Sequence, residues 1–246
     1  MLGGSALRPE ATGYGVVYFT QRLLAEQGRD LEGTRVVVSG SGNVALHAMD
    51  KVVAVGGRVV ACSDSRGAVS EPDGVDVAVL REVKERGGSV ADYAEGRSGA
   101  SMSSGSAFTV ECEVALPCAT QNEIGPDEAR ALAGNGCWAV VEGANGPVTP
   151  AARRLLREAH VAFGPGKAAN AGGVAVSSLE MQQAAGREQW SAEKVDERLG
   201  TIMTEVHDRA RDAGERYCGG PSDYENGANA AAFLRVAQAV RRLGVV

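Results

Sequence analysis

The chain has 246 residues, with 25 Lys plus Arg against 31 Asp plus Glu and a formal net charge of −6. That length holds one large domain or two small ones, and the acidic balance argues against a general binder of nucleic-acid backbones. A composition of 44% apolar and 23% charged residues is globular, and no apolar stretch approaches the ~20 residues of a membrane span.

Residues 11–27 place Val16, Phe19, Leu23 and Leu24 at helical spacing before Gly28, which predicts a first helix. Arg35 to Ser39 is a short β-branched run and reads as a buried strand. A glycine turn follows, then a helical stretch to about Val55, the break Gly56-Gly57, and a second strand from Arg58 to Cys62. This is one βαβ unit of about 30 residues, the building block of a parallel sheet. Residues 76–86 read as a helix, and the Gly- and Ser-rich segment 96–105 reads as a loop. Three more short strands are expected at 113–116, 138–141 and 161–163, with helices at 126–134 and 149–159 between them. Beyond Ala168 the pattern is helical, with segments near 172–186, 191–213 and 227–243. The predicted fold is α/β: a doubly wound, Rossmann-like, mostly parallel sheet with a helical C-terminal region. It is read as a single dinucleotide-binding domain over 1–246, with its sheet core at about 30–170.

Glycine is the compositional outlier, at 33 residues against a usual share of about 7%. Gly40-x-Gly42-x-x-Ala45 explains part of the excess. The first glycine permits a tight turn, the second lets the backbone approach a pyrophosphate, and the small third residue lets the helix pack on the strand. Ser41, Asn43 and Val44 belong to the same turn, where free N–H groups and a partial positive charge face the phosphates. The motif follows a strand and opens a helix, which is the context it requires.

The end of the next strand decides between cofactors. Asp64 would take the ribose 2′-OH of NAD; Ser65, Arg66 and, on a downstream helix, Lys84 would suit the 2′-phosphate of NADP. Spacing alone leaves both open, and Arg66 and Lys84 can equally be solvated surface charges. Five cysteines without a C-x-x-C pair argue against a disulfide framework or a structural metal site, and no basic-then-apolar leader opens the chain. A reducing, cytoplasmic setting is expected.

Long stretches resemble the hexameric bacterial type of glutamate dehydrogenase. They are Gly3-Gly4-Ser5, Arg8-Pro9-Glu10-Ala11-Thr12-Gly13-Tyr14-Gly15, Ser39 to Ala45, Leu116-Pro117-Cys118-Ala119-Thr120-Gln121-Asn122, Glu142-Gly143-Ala144-Asn145, Pro165 to Val174 and Gly227-Ala228-Asn229. The resemblance implies an oxidoreductase that interconverts glutamate with 2-oxoglutarate and ammonia through a nicotinamide. It implies that Thr12 bonds the nicotinamide carboxamide, and that Ala119, Thr120 and Asn145 line the ribose and nicotinamide. It also implies Asn170 near the reacting ring, Ser177 on the substrate side-chain carboxylate, and Arg8 and Val174 beside the substrate. Ser63-Asp64-Ser65 and Lys84 look like the NADP-preferring members, so NADP is the expected cofactor, with NAD as the alternative. Each asparagine could instead cap its own turn, and Ser177 could bond its own helix.

One departure matters. The family's catalytic lysine lies in a glycine-rich segment of an N-terminal half that the resemblance does not reach. The four lysines here, Lys51, Lys84, Lys167 and Lys194, do not sit in such a segment, so no catalytic residue is assigned to this chain. The alternatives are a non-catalytic NAD(P)-binding module and an amino-acid dehydrogenase with another substrate.

Overall fold

The computed structural model describes residues 4–244, so Gly3 of the first matching stretch lies outside the described residues. Strand β1 (Arg35–Ser39) lies at the middle of a seven-stranded sheet. Parallel to it on one side is β2 (Arg58–Asp64), and on the other β5 (Val114–Pro117), followed by β6 (Ala139–Val141) and β7 (Ala162–Gly164). Beyond β2 the sheet reverses: β3 (Gly67–Ser70) and β4 (Ser101–Ser103) pair antiparallel, giving the order β4-β3-β2-β1-β5-β6-β7. Val36, Val37 and Val38 are fully buried because helices cover both faces of β1, and each such side chain contributes about 1.5–3 kcal/mol of burial.

One face carries α1 (Ala11–Ala25), α2 (Asn43–Ala54), α3 (Val77–Glu85) and α4 (Val90–Ala94), with α8 (Gly172–Gly186) and α9 (Ala192–Tyr217) stacked behind α1. The other carries α5 (Pro126–Gly134) and α6 (Pro150–Glu158). A short α7 (Gly166–Ala169) leads into α8, and α10 (Tyr224–Leu243) packs on α9. Capping follows the sequence: Asp76, Ser89, Thr149, Ser191 and Asp223 each accept a backbone N–H from the first turn of their helix.

Three elements depart from the sequence expectation. Residues 96–105 are not all loop, because β4 forms there. All three of its residues are exposed, so it has no apolar period to read; it exists through backbone pairing with β3. The chain also turns back after β2 through the two-residue loop Ser65-Arg66 rather than crossing directly to a helix. Gly67, at φ +134°, permits this, and a Cβ there would lie 2.4 Å from the Ser103 carbonyl oxygen. Finally, α4 is five residues long, held by a capping box between Ser89 and Asp92.

The helix stack is close-packed. A Cβ on Gly172 would come 2.0 Å from the Ala11 carbonyl oxygen and 3.0 Å from Gly15 Cα, so α1 and α8 touch backbone to backbone. Behind them, His207 is fully buried. Its Nδ1 is 2.9 Å from Asp208 Oδ1 and its Nε2 3.1 Å from the Tyr224 hydroxyl. A carboxylate only accepts, so Nδ1 carries the proton and the Tyr224 hydroxyl donates to Nε2. Burial pushes this imidazole below its usual range despite Asp208.

Candidate functional site

The chain leaves β1 through α2 toward β2, and leaves β5 through α5 toward β6. The carboxyl ends of β1 and β5 therefore form the point where the winding reverses, which is where open α/β sheets bind ligands. A cavity of about 650 Å³ opens there, lined by Gly40 to Val44, Ser63 to Ser65, Cys118 to Thr120 and Glu123. The tight turn begins at Gly40 (φ +84°), where a Cβ would press 3.0 Å from Ala119 Cα. A Cβ on Gly42 would meet nothing within 4 Å. It would project into the open space in front of α2, so a small residue there suits close approach by a bound group. The first backbone bond of α2 runs from Leu46 N–H to the Gly42 carbonyl. The N–H groups of Asn43, Val44 and Ala45 precede it, as an anion site requires. The Asn43 side chain is used internally, donating to the Pro9 carbonyl at 2.7 Å and tying this turn to the segment before α1.

At the β2 end, the Asp64 carboxylate is already surrounded by donors. Oδ1 accepts the Arg66 N–H (2.8 Å), and Oδ2 accepts the Val90 N–H (2.9 Å) and Lys84 Nζ (3.2 Å). Burial alone would push this carboxyl up, but the three donors outweigh it and hold it below the usual carboxylate range. Asp64 therefore organises its neighbours. It fixes the hairpin tip, where Ser65 and Arg66 are exposed, and it brings Lys84 to that tip.

The β5 end is set by Ser39 and Glu123. Ser39 Oγ accepts the N–H groups of Cys118 (2.9 Å) and Ala119 (3.3 Å), and Glu123 Oε1 accepts those of Ala119 (3.2 Å) and Thr120 (3.3 Å). Burial pushes the Glu123 carboxyl up despite those bonds, and pushes the Cys118 thiol well up, which keeps it protonated. A second cavity of about 510 Å³ adjoins the first at Val44, Cys118 and Ala119. It brings Arg8, Thr12, Asn145, Asn170, Gly173 and Val174 together. Asn170 Nδ2 donates to Asn145 Oδ1 at 2.8 Å. Ser177 does not line this cavity; its hydroxyl donates to the Gly173 carbonyl of its own helix at 3.1 Å.

Glu123 and Glu142 carry no role in the sequence reading, yet both hold strand-end loops. The signal in the sequence is an acid directly after a buried strand for Glu142, and an acid within the loop that follows β5 for Glu123. Among the described residues, one cluster has metal-ligand character: Glu26, His207 and Asp208. Its acids are committed to guanidinium groups, with Arg22 3.1 Å from Asp208 and Arg211 2.9 Å from Glu26. A further depression of about 420 Å³ beside β7 holds Arg153 and Glu225, paired to each other at 2.6 Å. Among the described residues, no helix is long and apolar enough to cross a membrane.

The family model for Glutamate/Leucine/Phenylalanine/Valine dehydrogenase matches residues 3–244. The NADP-specific glutamate dehydrogenase of Salmonella typhimurium is 50% identical over 248 residues, covering 99% of this chain and 55% of that protein. The glutamate dehydrogenase of Bacteroides thetaiotaomicron is 46% identical over 99% of this chain and 56% of its own length. Among solved structures, Plasmodium falciparum glutamate dehydrogenase superposes with a TM-score of 0.96 at 40% identity, covering 99% of this chain and 53% of that one. The chain thus spans about half the length of the relatives it matches, and it belongs to the Glutamate/Leucine/Phenylalanine/Valine dehydrogenase family.

Proposed function

We propose that this chain is the coenzyme-binding portion of a glutamate dehydrogenase, acting as one dinucleotide-binding unit that takes NADP(H). The reaction is oxidative deamination of glutamate to 2-oxoglutarate and ammonia, and its reverse. The observation that carries the reading is the open space in front of Gly42, at the mouth of two adjoining cavities. One cavity is walled by Asp64 and Ser65, with Lys84 bonded to that Asp64 and Arg66 next to Ser65 at the hairpin tip; the other is lined by Thr12, Asn145 and Asn170. A pyrophosphate over the N–H groups of α2 would send its adenosine toward the first and its nicotinamide toward the second. The nicotinamide would supply hydride transfer. Ser65, Arg66 and Lys84 offer a hydroxyl and two cations to a 2′-phosphate, and Asp64, already surrounded by donors, is poorly free to take a 2′-OH. Thr12 and Asn170 would orient the carboxamide and ring, with Arg8 and Val174 on the substrate side; Ser177 would join them only by turning its hydroxyl away from the Gly173 carbonyl.

The same geometry explains why we assign no general base. Lys51 Nζ is 2.8 Å from Asp196, Lys84 Nζ 3.2 Å from Asp64 and Lys167 Nζ 2.7 Å from Asn229 Oδ1, while Lys194 lies over the Trp190 ring. No lysine lines either cavity, and the reaction needs a desolvated base and clamps for two carboxylates. The test is fluorescence titration with NADPH and NADH, together with 2-oxoglutarate-dependent NADPH oxidation. Saturable NADPH binding tighter than NADH, with negligible turnover, is expected. Millimolar dissociation constants for both cofactors would overturn the cofactor reading. Turnover near about 10 per second, an ordinary enzyme rate, would overturn the absence of a base.

A further inference from the structure

Glu142 follows β6 directly and is 4% exposed. Its backbone N–H donates to the Gly164 carbonyl at the end of β7 (2.9 Å). Its carboxylate then reaches two other segments: Oε2 accepts the Gly166 N–H at 2.7 Å and Oε1 the Val148 N–H at 3.3 Å. Gly166 opens α7, and the Asn170 N–H donates to the Gly166 carbonyl (2.9 Å), so the position of Gly166 carries through to Asn170. On the other side, Glu142 grips both ends of the 143–147 loop, through its own backbone and through Val148. Asn145 lies in that loop and meets Asn170 at 2.8 Å.

We propose that Glu142 is a positioning residue that couples the Asn145 loop to the Asn170 segment and so sets the nicotinamide half of the site, leaving the adenosine half independent. This rests on the dinucleotide reading above for its ligand, but not for its mechanics. Both oxygens accept backbone N–H groups, which the ionised carboxylate does in full, while burial pushes this carboxyl above its ordinary value against those two bonds. Glutamine keeps the shape but turns an NH₂ toward one of the two N–H donors, and burial denies water as a replacement. The adenosine end takes no bond from Glu142; it is held by Asp64, Lys84 and the Val90 N–H.

The test compares the unaltered chain with Glu142→Gln, using NADPH and adenosine 2′,5′-bisphosphate as separate probes. NADPH affinity should fall about tenfold or more, while adenosine 2′,5′-bisphosphate affinity should change less than about twofold. Equal losses for both probes, or an unchanged NADPH affinity, overturn the proposal. Native-state hydrogen exchange on the unaltered chain supplies a ligand-free arm, which stands even if Glu142→Gln fails to fold or neither probe binds. One group holds both amides, so Gly166 and Val148 should open together with one opening free energy, and clearly different opening energies overturn the coupling. Failure of the unaltered chain to bind either probe, with the two amides still opening together, removes the cofactor reading and leaves Glu142 as the coupler of the two loops.

Discussion

At the strand-end rim, Asp64, Glu123 and Glu142 each accept backbone N–H groups from neighbouring segments. In the stack of α1, α8 and α9 behind it, the buried contact is mainly excluded volume, with Gly15 and Gly172 bringing two helix backbones together and Arg22 pairing with Asp208 at the edge. Directional bonds fix loop positions while leaving open space in front of them for a ligand. Close packing fixes helix positions and leaves none. The two regions should therefore fail differently: a rim substitution should cost binding, and a stack substitution should cost stability.

The sharpest way to break that comparison is a pair of identical changes in the two regions. Gly172→Ala places a Cβ 2.0 Å from the Ala11 carbonyl oxygen, and backbone cannot rotate aside. Overpacking of this kind costs about 3 kcal/mol, which lowers Tm by about 6–12 °C in a chain of this size. Gly42→Ala meets nothing within 4 Å and sits at a negative φ of −87°. It should leave Tm within about 1 °C while weakening NADPH about tenfold, because the methyl enters the space assigned to the pyrophosphate. Calorimetry and NADPH titration on both variants check this, and a Tm loss for Gly42→Ala as large as that for Gly172→Ala would dissolve the distinction.

The same contrast governs what could be read before the structure. Val36 to Val38 announced β1 because a strand buried on both faces is a continuous apolar run. Gly40 and Gly42 announced the turn because a tight turn and an open approach require glycine there. Glu123 and Glu142 left no such mark. Glu142 serves the backbone N–H groups of Val148 and Gly166, and a backbone donor has no residue identity to detect. Asp64 was legible as a cofactor-choosing acid, but its own partners lie at 66, 84 and 90, and it takes the β2–β3 turn together with the packing of α3 and α4 beside it to bring them together. That hairpin and β4 were illegible for a related reason: a three-residue edge strand, Ser101-Met102-Ser103 and exposed throughout, forms through pairing, which local pattern does not encode.

A rim change that leaves stability nearly intact sharpens the comparison further. Lys84 is partly buried and held by Asp64, with its ammonium at the hairpin tip. Lys84→Ala removes one cation from the place assigned to the 2′-phosphate. It should weaken NADPH about fivefold to tenfold, with NADH changed less than twofold, since a charge-assisted bond contributes about 1.5–3 kcal/mol before screening. Competition titrations measure the ratio. An equal loss for both cofactors would place the phosphate elsewhere.

The stack buries the polar side chains of Thr20, Gln183 and His207. Of these His207 titrates, and it yields the smallest effect. Its imidazole is neutral in the folded chain, with Nδ1–H donating to Asp208 and Nε2 accepting from Tyr224. Burial lowers its pKa from the ordinary 6.5. On unfolding it regains that value, so between the lowered pKa and 6.5 the unfolded chain binds more protons and stability rises with pH. The contribution is complete above about pH 6.5 and is lost as the pH falls below it, at no more than about 1.4 kcal/mol per pH unit for one proton. Asp208 acts in a separate, lower window. Burial pushes its carboxyl up, but His207 and Arg22 outweigh this and hold it below 3.8, so its share is lost only on stronger acidification. Urea melts of the chain and of His207→Gln at pH values from about 5 to 7.5 isolate the term by difference. The variant should be less stable throughout and should show a flatter slope below pH 6.5. An identical slope in both would mean that the buried ring does not impose the stack's pH dependence, and that close packing alone governs this region.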